Sequence, residues 1–292
     1  MPVHANRVAT LVLAGALALA IPVTLGACAP TPSPGLPHGV TIDVYQSRID
    51  YSEHKLEVAI ANATDAPFDV LALSFSTPVF SSVEYTRAPT TVRPGTTTDF
   101  RLLLPPARCD AEPGKPTVDI RFSFDGGEGQ ARMSPDDRMG QLPAIAAEDC
   151  RDDAVAAVAT ISAAPAIRIA SVDGTTAAVL DFTAVPTGAG GILTIDDVRG
   201  TVLLGARDPA TGRVGDTVPL GIDLSHATTP VTFSLVLLPA RCDPHVVLED
   251  KRGTFFTFTV TTRLDTGRIF IGVTDDVRLQ LYEFVGSQCG WT

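Results

Sequence analysis

Apolar and polar residues alternate along much of the chain beyond residue 40, as they do in β-strands that bury one face. The alternation is clearest at residues 56–60 and 120–124 in the first half and at 233–237 and 256–260 in the second. These stretches are rich in β-branched and aromatic residues, which fit the pleated surface of a sheet. The pattern therefore predicts an all-β protein.

Turn residues separate the predicted strands. Pro94-Gly95 precedes one strand, and Asp125-Gly126-Gly127 and the stretch 264–267 occupy equivalent hairpin positions, where glycine allows positive φ. No long amphipathic helical pattern appears beyond the N-terminal segment. The Ala- and Val-rich stretch 154–159 is compatible with a helical turn, a linker or a first strand. With 24 Gly and 23 Pro in the chain, this spacing predicts antiparallel β-sandwiches.

An internal duplication divides the chain. Residues 100–110 read FRLLLPPARCD and residues 233–243 read FSLVLLPARCD, with eight identities. A second match follows in the same order, because four residues before Cys150 recur at the same distances before Cys289; these are Asp136, Asp137, Gln141 and Leu142, matched by Asp275, Asp276, Gln280 and Leu281. Two ordered matches indicate two copies of one domain. We assign repeat 1 to residues 40–151 and repeat 2 to 152–292, with the boundary between Asp152 and Pro165.

The duplication also predicts how the cysteines pair. Apart from Cys28, four cysteines remain, and four thiols allow three pairings. Pairing within each repeat gives Cys109–Cys150 and Cys242–Cys289, and each bridge would contribute about 4 kcal/mol by restricting the unfolded chain. The alternative is free or metal-binding thiols, but the spacing matches no zinc pattern.

The N-terminal residues have the plan of an export signal. Arg7 is followed by an apolar run at 8–19, and Leu25-Gly26-Ala27-Cys28 resembles the lipobox of bacterial lipoproteins. This predicts a signal peptide at 1–27, diacylation (palmitate) on Cys28, and a Pro-rich spacer at 28–39. The alternatives are an uncleaved transmembrane anchor and an ordinary cleaved signal. Two acyl chains would hold the protein stably on a membrane.

The stretch from Ala61-Asn62-Ala63-Thr64 through Pro94-Gly95 to Phe100 resembles bacterial immunoglobulin-like domains of extracytoplasmic proteins. The whole chain is also similar to predicted lipoproteins of actinobacteria in which a P-A-R-C-D-P-H segment recurs. That segment occupies Pro239 to His245, whereas the first copy has Ala111-Glu112 in place of Pro-His. The resemblance implies two tandem immunoglobulin-like β-sandwiches and no particular activity.

Charge and motif content narrow the function. The formal net charge of -11 repels phosphate backbones and argues against a nucleic-acid partner. The chain has no G-x-S-x-G nucleophile turn and no glycine-rich nucleotide loop, so we expect no cofactor. Asp265-Thr266-Gly267 matches the aspartic-protease triplet, but it occurs once and that chemistry needs two carboxylates. We interpret the triplet as a hairpin turn.

A metal site is the best local alternative. Carboxylates and an imidazole suit several divalent metals, and they recur in the loop after Cys242, at Asp243, His245, Glu249 and Asp250. The simpler interpretation is a solvated loop, since no ligand spacing is diagnostic.

Two acidic pairs recur in the repeats. Asp136-Asp137 and Asp275-Asp276 are candidates for calcium ligands or for ordinary turn and edge-strand residues. For Arg108 and Arg241, beside the bridge cysteines, we expect surface carboxylates as partners.

The sequence therefore predicts a non-catalytic, lipid-anchored protein on the outer face of the cytoplasmic membrane. Secretion and an N-terminal membrane anchor are the alternatives. Its partner would be an envelope protein or polymer, bound by loops or by a groove between domains. A metal-binding lipoprotein that uses the loop around His245 is the second hypothesis, and an envelope hydrolase is the third.

Overall fold

Two β-sandwiches follow one another along the chain in the computed structural model, which describes residues 35–245, 250 and 254–291. The predicted signal peptide, Cys28 and Glu249 lie outside the described residues. Repeat 1 contains β1 (Val40–Tyr45), α1 (Asp50–Glu53), β2 (Lys55–Asn62), β3 (Phe68–Ser76), β4 (Val83–Glu84), β5 (Thr90–Val92), β6 (Thr96–Leu103), β7 (Thr117–Phe124), β8 (Gly127–Met133), β9 (Asp136–Asp137) and α2 (Leu142–Val158).

Repeat 2 has a similar succession of elements, but a second strand follows its first strand where repeat 1 has α1, and no strand among its described residues corresponds to β9. It contains β10 (Ala159–Ala163), β11 (Arg168–Val172), β12 (Thr175–Pro186), β13 (Leu193–Arg199), β14 (Leu204–Arg207), β15 (Val214–Gly215), β16 (Thr217–Asp223), β17 (Val231–Pro239), β18 (Phe255–Thr262), β19 (Thr266–Gly272) and a terminal helix that we call α3 (Asp275–Cys289).

The central strands are arranged alike in the two repeats, whereas the edges of the sheets differ. Repeat 1 pairs strands in the orders β6-β2-β1-β9 and β4-β3-β7-β8, with β5 also on β3. Repeat 2 has β10-β12-β17-β14-β15, with β11 on β12, and β16-β13-β18-β19. The sets β6-β2-β1 and β17-β12-β10 correspond, as do β3-β7-β8 and β13-β18-β19. The predicted fold class, two tandem immunoglobulin-like antiparallel sandwiches, is confirmed.

Alternation buries one side of each strand. In repeat 1, Val58 of β2 lies opposite Phe100 of β6, and both side chains are buried. In repeat 2, the ring of Phe182 meets those of Phe256 and Phe258 edge to face, with centroids 5.5 and 5.2 Å apart. Each such side chain contributes about 1.5–3 kcal/mol by leaving water. The sandwiches therefore have separate apolar cores.

The prediction of no long helix beyond the N-terminal segment was wrong. α2 has 17 residues and α3 has 15. α2 packs Leu142 and Ile145 into the core of repeat 1 and Val155 and Val158 into the core of repeat 2. At 3.6 residues per turn these pairs lie on nearly opposite faces, so no single apolar stripe runs along the helix. The predicted boundary at 151/152 falls inside this helix, which continues through residues 154–158 before β10.

Candidate binding site

A cleft of about 410 Å³ lies beside α2 in repeat 1. One wall is α2 and the other is the long loop between β6 and β7, with the turn after β3 at its end. Most of the lining side chains are apolar, and they are Val79, Ala111, Pro113, Pro116, Leu142, Pro143, Ala146 and Ala147. Cavities that bind small ligands span about 300–1,000 Å³ and have largely apolar walls. The cleft has the size and lining of a binding site.

A disulfide holds the two walls together. Cys109 of the loop is bonded to Cys150 of α2, with Cα atoms 5.4 Å apart, and both line the cleft. The equivalent bridge in repeat 2 joins Cys242 to Cys289, with Cα atoms 5.2 Å apart. Both predicted pairings are confirmed. Since the bridge restrains the loop against the helix, the shape of the cleft depends on it.

Asp137 fixes the start of the α2 wall. Its two carboxylate oxygens accept hydrogen bonds from the backbone N–H groups of Gln141 and Leu142, both at 2.9 Å. These are N–H groups that the helix itself leaves unpaired, and negative charge is favourable at this end of a helix. Of the two interpretations of the first acidic pair, this geometry favours the structural one, because Asp136 and Asp137 also form β9 at the sheet edge.

The second acidic pair also begins a helix. Asp275 and Asp276 form the first turn of α3, where the hydroxyl of Thr274 accepts a hydrogen bond from the Val277 N–H at 3.4 Å. Asp275 additionally pairs with Arg278 at 2.9 Å. Asp137 and Thr274 thus cap corresponding helices with different side chains.

The two arginines beside the bridges differ. The Arg108 guanidinium lines the cleft and donates a hydrogen bond to the Pro78 carbonyl. Its backbone N–H donates to the Val79 carbonyl at 2.8 Å. Arg241 lies 3.7 Å from Asp243, which is the kind of carboxylate partner predicted for it. Arg108 therefore leaves a cationic group on an otherwise apolar wall.

A histidine and an aspartate also hold α2 against the β6–β7 loop. The Asp149 carboxylate accepts a hydrogen bond from the Ala107 N–H at 3.1 Å and lies 3.4 Å from Nε2 of His54. The hydrogen bond to Asp149 is the main cause that raises the pKa of His54. Partial loss of contact with water raises the pKa of Asp152 to about 6, and repulsion by the negative charges of Glu148 and Asp149 adds to this shift. Part of the residue is nevertheless exposed at the surface.

An ion network with two buried carboxylates lies where α1 and β2 meet the edge strand β6, and the sequence analysis did not predict it. Asp50 and Glu57 are 0% and 3% exposed. Arg101 approaches Asp50 at 3.0 Å and donates to Glu57 at 3.0 and 2.8 Å. Burial raises the pKa of Glu57, and the hydrogen bond from Arg101 opposes this shift. The network joins α1 and β2 to β6.

The residues of the predicted metal loop have separate partners. Asp243 accepts hydrogen bonds from the backbone of His245 and contacts its Nδ1, both at 3.0 Å, and the His245 side chain is 82% exposed. Asp250 instead accepts from the Tyr282 hydroxyl at 2.7 Å and from Thr254 at 2.9 Å. Within the part of the chain that the structure describes, no three His, Cys, Asp or Glu side chains form a group that could hold a metal.

The aspartic-protease triplet lies at a hairpin turn, as interpreted. The Thr262 N–H donates to the Asp265 carbonyl at 2.9 Å, which closes the loop between β18 and β19. The Asp265 carboxylate binds Arg151 of α2. Its counterpart in repeat 1 is a two-residue turn in which Asp125 and Gly126 both have positive φ, as a type I′ turn requires.

A second cleft, of about 370 Å³, lies at the turn between β13 and β14 in repeat 2. Its lining includes three glycines, Gly200, Gly205 and Gly215. The cleft of repeat 1 presents far more apolar side chains. Sequence reasoning missed both clefts; the only signal for the first was the predicted bridge, which brings the loop against residues near Cys150.

Among the described residues, no helix combines the length and the apolar character needed to cross a membrane. No model of a known protein family matches the chain, and no curated protein matches it.

The solved structures that show distant similarity to this chain include the following two. One is the CsuC–CsuE chaperone–tip adhesion subunit pre-assembly complex from archaic chaperone-usher Csu pili of Acinetobacter baumannii, with 9% identity, a TM-score of 0.21, and coverage of 80% of this chain and 100% of that one. The other is the BSP domain of a biofilm associated protein, with 8% identity, a TM-score of 0.25, and coverage of 84% of this chain and 60% of that one. Similarity at TM-scores this low says nothing about function, so the site is interpreted from its own geometry.

Proposed function

We propose that this chain is a non-catalytic binding protein, anchored by lipid on the outer face of the cytoplasmic membrane, and that the cleft of repeat 1 receives part of an envelope protein or polymer. The observation that carries the proposal is the cleft itself: a cavity of about 410 Å³ with apolar walls, held open between a helix and a disulfide-bonded loop. Apolar contact gives such a site affinity, and the few polar groups orient the ligand.

Two of the polar groups in the cleft hold its walls in place, and a third adds a positive charge. Asp137 is engaged at the start of α2, and Thr77 accepts hydrogen bonds from the backbone N–H groups of Val79 and Phe80 at 3.1 and 2.8 Å. Arg108 is the cation on the wall. A guanidinium contributes hydrogen bonds and stacking to a ligand, and it is always charged.

The disulfides and the N-terminal sequence support export. Disulfide bonds persist in oxidising compartments and are rare in the cytosol, and this chain has two. The lipobox-like residues before Cys28 and the Pro-rich stretch after it fit a tether that holds a folded protein away from a membrane.

Site-directed photo-crosslinking in intact cells tests the proposal. A photoreactive amino acid replaces Ala147, which lines the cleft, or Ala156, which is also exposed but lies on the opposite face of the same helix. We expect a crosslinked envelope partner from position 147 and much less from 156. No product at 147, or the same product at both positions, would overturn the cleft as the binding site. Hydrolysis of an envelope polymer by the purified chain, abolished by one substitution, would overturn the non-catalytic function.

A further inference from the structure

In repeat 2 the side chain of Trp291 contacts the counterparts of two residues that line the cleft of repeat 1. Trp291 donates a hydrogen bond from Nε1 to the Cys242 carbonyl at 2.8 Å and packs against the core of repeat 2. Its six-membered ring lies 3.5 Å from the point that a Cβ on Gly286 would occupy. Cys109 corresponds to Cys242, and Ala147 corresponds to Gly286, three residues before the helix cysteine. Both counterparts line the cleft of repeat 1.

The turn at the end of the cleft has a counterpart of the same local structure in repeat 2. In repeat 1 the hydroxyl of Thr77 accepts hydrogen bonds from the backbone N–H groups two and three residues later, at Val79 and Phe80. In repeat 2 the hydroxyl of Thr201 accepts from Leu203 and Leu204 in the same way, at 3.2 and 3.0 Å. The turn after β3 and the turn after β13 therefore fold alike.

The two helices end differently, which explains why repeat 1 supplies no indole of its own. α3 stops at Gly290, whose φ of 68° belongs to the left-handed region, and the Trp291 N–H turns back to the Gly286 carbonyl at 2.9 Å. In repeat 1 the counterpart of Trp291 is Asp152, and α2 continues to Val158. The helix thereby becomes the connection to repeat 2, and its cleft stays open.

We infer that the cleft of repeat 1 binds a tryptophan side chain presented by a partner polypeptide, with the indole N–H directed to the Cys109 carbonyl. The inference rests on the proposed function and names the chemistry that the cleft recognises. Ala147 leaves room for the ring, because a Cβ at the equivalent Gly286 would lie 3.5 Å from the Trp291 ring, which is an ordinary van der Waals distance. Arg108 adds a guanidinium, which stacks well on indole. A cavity of about 410 Å³ suits one or two side chains.

Titration of the full folded chain with N-acetyltryptophanamide, followed by NMR, tests the inference directly. We expect a dissociation constant of about 1 mM or tighter. N-acetylphenylalaninamide should bind at least about fivefold more weakly, since it lacks the N–H donor. Ala147→Trp should block the cleft and abolish binding, whereas Ala156→Trp, on the opposite face of α2, should leave it unchanged. Equal binding of both amides, or binding that survives Ala147→Trp, would overturn the inference.

A second variant tests the comparison between the repeats. Trp291→Ala should open the equivalent place in repeat 2, so N-acetyltryptophanamide should raise the melting temperature of this variant more than that of the wild type. Equal shifts in the two proteins would contradict the correspondence.

The crosslinking and titration experiments separate the inference from the proposed function. A partner captured at position 147 without any binding of N-acetyltryptophanamide would overturn the tryptophan inference alone. Binding of the amide without a captured partner would count against the proposed function. In the captured partner we expect a tryptophan within the crosslinked peptide, and capture of a second copy of this chain would overturn the choice of a different polypeptide as partner.

Discussion

Arg151 of α2 holds Asp265 of the β18–β19 turn with two hydrogen bonds, of 3.1 and 2.6 Å. The same guanidinium donates to the Arg268 carbonyl at 3.1 Å, and the Arg151 side chain is only 12% exposed. Gly267 makes this approach possible, because a Cβ there would overlap the guanidinium. The helix that forms one wall of the cleft is therefore bound to repeat 2 at Arg151. This residue lies between Ile145, which packs in the core of repeat 1, and Val155, which packs in the core of repeat 2.

Replacement of Arg151 should weaken this connection. We expect Arg151→Ala to lower the free energy of unfolding by about 1–3 kcal/mol, because it removes a charge-assisted bidentate pair whose guanidinium is largely buried. Arg168→Ala is the matched control: Arg168 also pairs with an aspartate, Asp181, but is 60% exposed, so its loss should cost about 0–1 kcal/mol. Urea unfolding of the three proteins measures the difference. Equal costs for the two variants would show that the Arg151 pair does not stabilise the connection.

The buried carboxylates around Arg101 lead to a larger expected effect. Arg101→Leu leaves Asp50 and Glu57 without their cation, and an unpaired buried charge costs about 3–5 kcal/mol. The loss should shrink as the pH falls, because protonation of Glu57, whose pKa burial already raises, removes one of the charges. Denaturant unfolding at pH 7 and pH 5 measures both effects.

Arg132→Leu is the control for that experiment. Arg132 pairs with Asp119, but the two side chains are 75% and 41% exposed. We expect a change of no more than about 0.5 kcal/mol at either pH. Comparable losses for both leucine variants would mean that burial of the carboxylates is not what makes Arg101 important.

His54 should make the stability depend on pH. Its pKa is raised in the folded protein above the ordinary value of 6.5, chiefly by Asp149, so the folded state binds this proton more tightly than the unfolded state. The added stability is fully present below pH 6.5 and is lost as the pH rises through the folded-state pKa. His54→Asn, which tolerates the positive φ at this position, should flatten that slope, by less than about 1 kcal/mol because the pair is partly exposed. Thermal melts between pH 5 and 8 measure it; an unchanged slope would exclude the pair as its source.

The sandwiches could be predicted because their physical cause is local. Alternation at residues 56–60 places side chains on two faces of a strand, and the duplicated motif links Cys109 to Cys150 without any knowledge of the sheets. α3 was not predicted, although its signals are local: Val277, Leu281 and Phe284 follow helical spacing between a Thr274 cap and Gly290.

α2 and the cleft could not be predicted in the same way. The apolar residues of α2 serve two cores from opposite faces, so the helix has no continuous stripe for a periodicity argument to detect. The cleft unites Val79, Pro113 and Ala147, which lie far apart in sequence and meet only once the loop is bonded to the helix. Its chemistry is apolar, and apolar residues at the level of sequence are indistinguishable from core.

Replacement of Cys28 separates the three possible N-terminal arrangements. If Cys28 carries the lipid, Cys28→Ser should abolish incorporation of labelled palmitate and release the protein from the membrane fraction, since a stable anchor needs two acyl chains. A wild-type protein that stays in the membrane without label would indicate an uncleaved anchor. A wild-type protein that is free of the membrane would indicate an ordinary signal peptide. Metabolic labelling followed by fractionation distinguishes these outcomes.

Removal of each disulfide should have the same effect on stability but different effects on binding. We expect the double variants Cys109→Ser/Cys150→Ser and Cys242→Ser/Cys289→Ser each to lose about 2–5 kcal/mol of unfolding free energy, because the bridges close loops of similar length, 41 and 47 residues apart. Only the first pair joins the two walls of the cleft, so only the first variant should lose binding of N-acetyltryptophanamide while it remains folded at low temperature. Titration of both variants at 10 °C, with circular dichroism to verify folding, provides the measurement. Equal loss of binding in both would show that the cleft responds to global stability and not to the bond between Cys109 and Cys150.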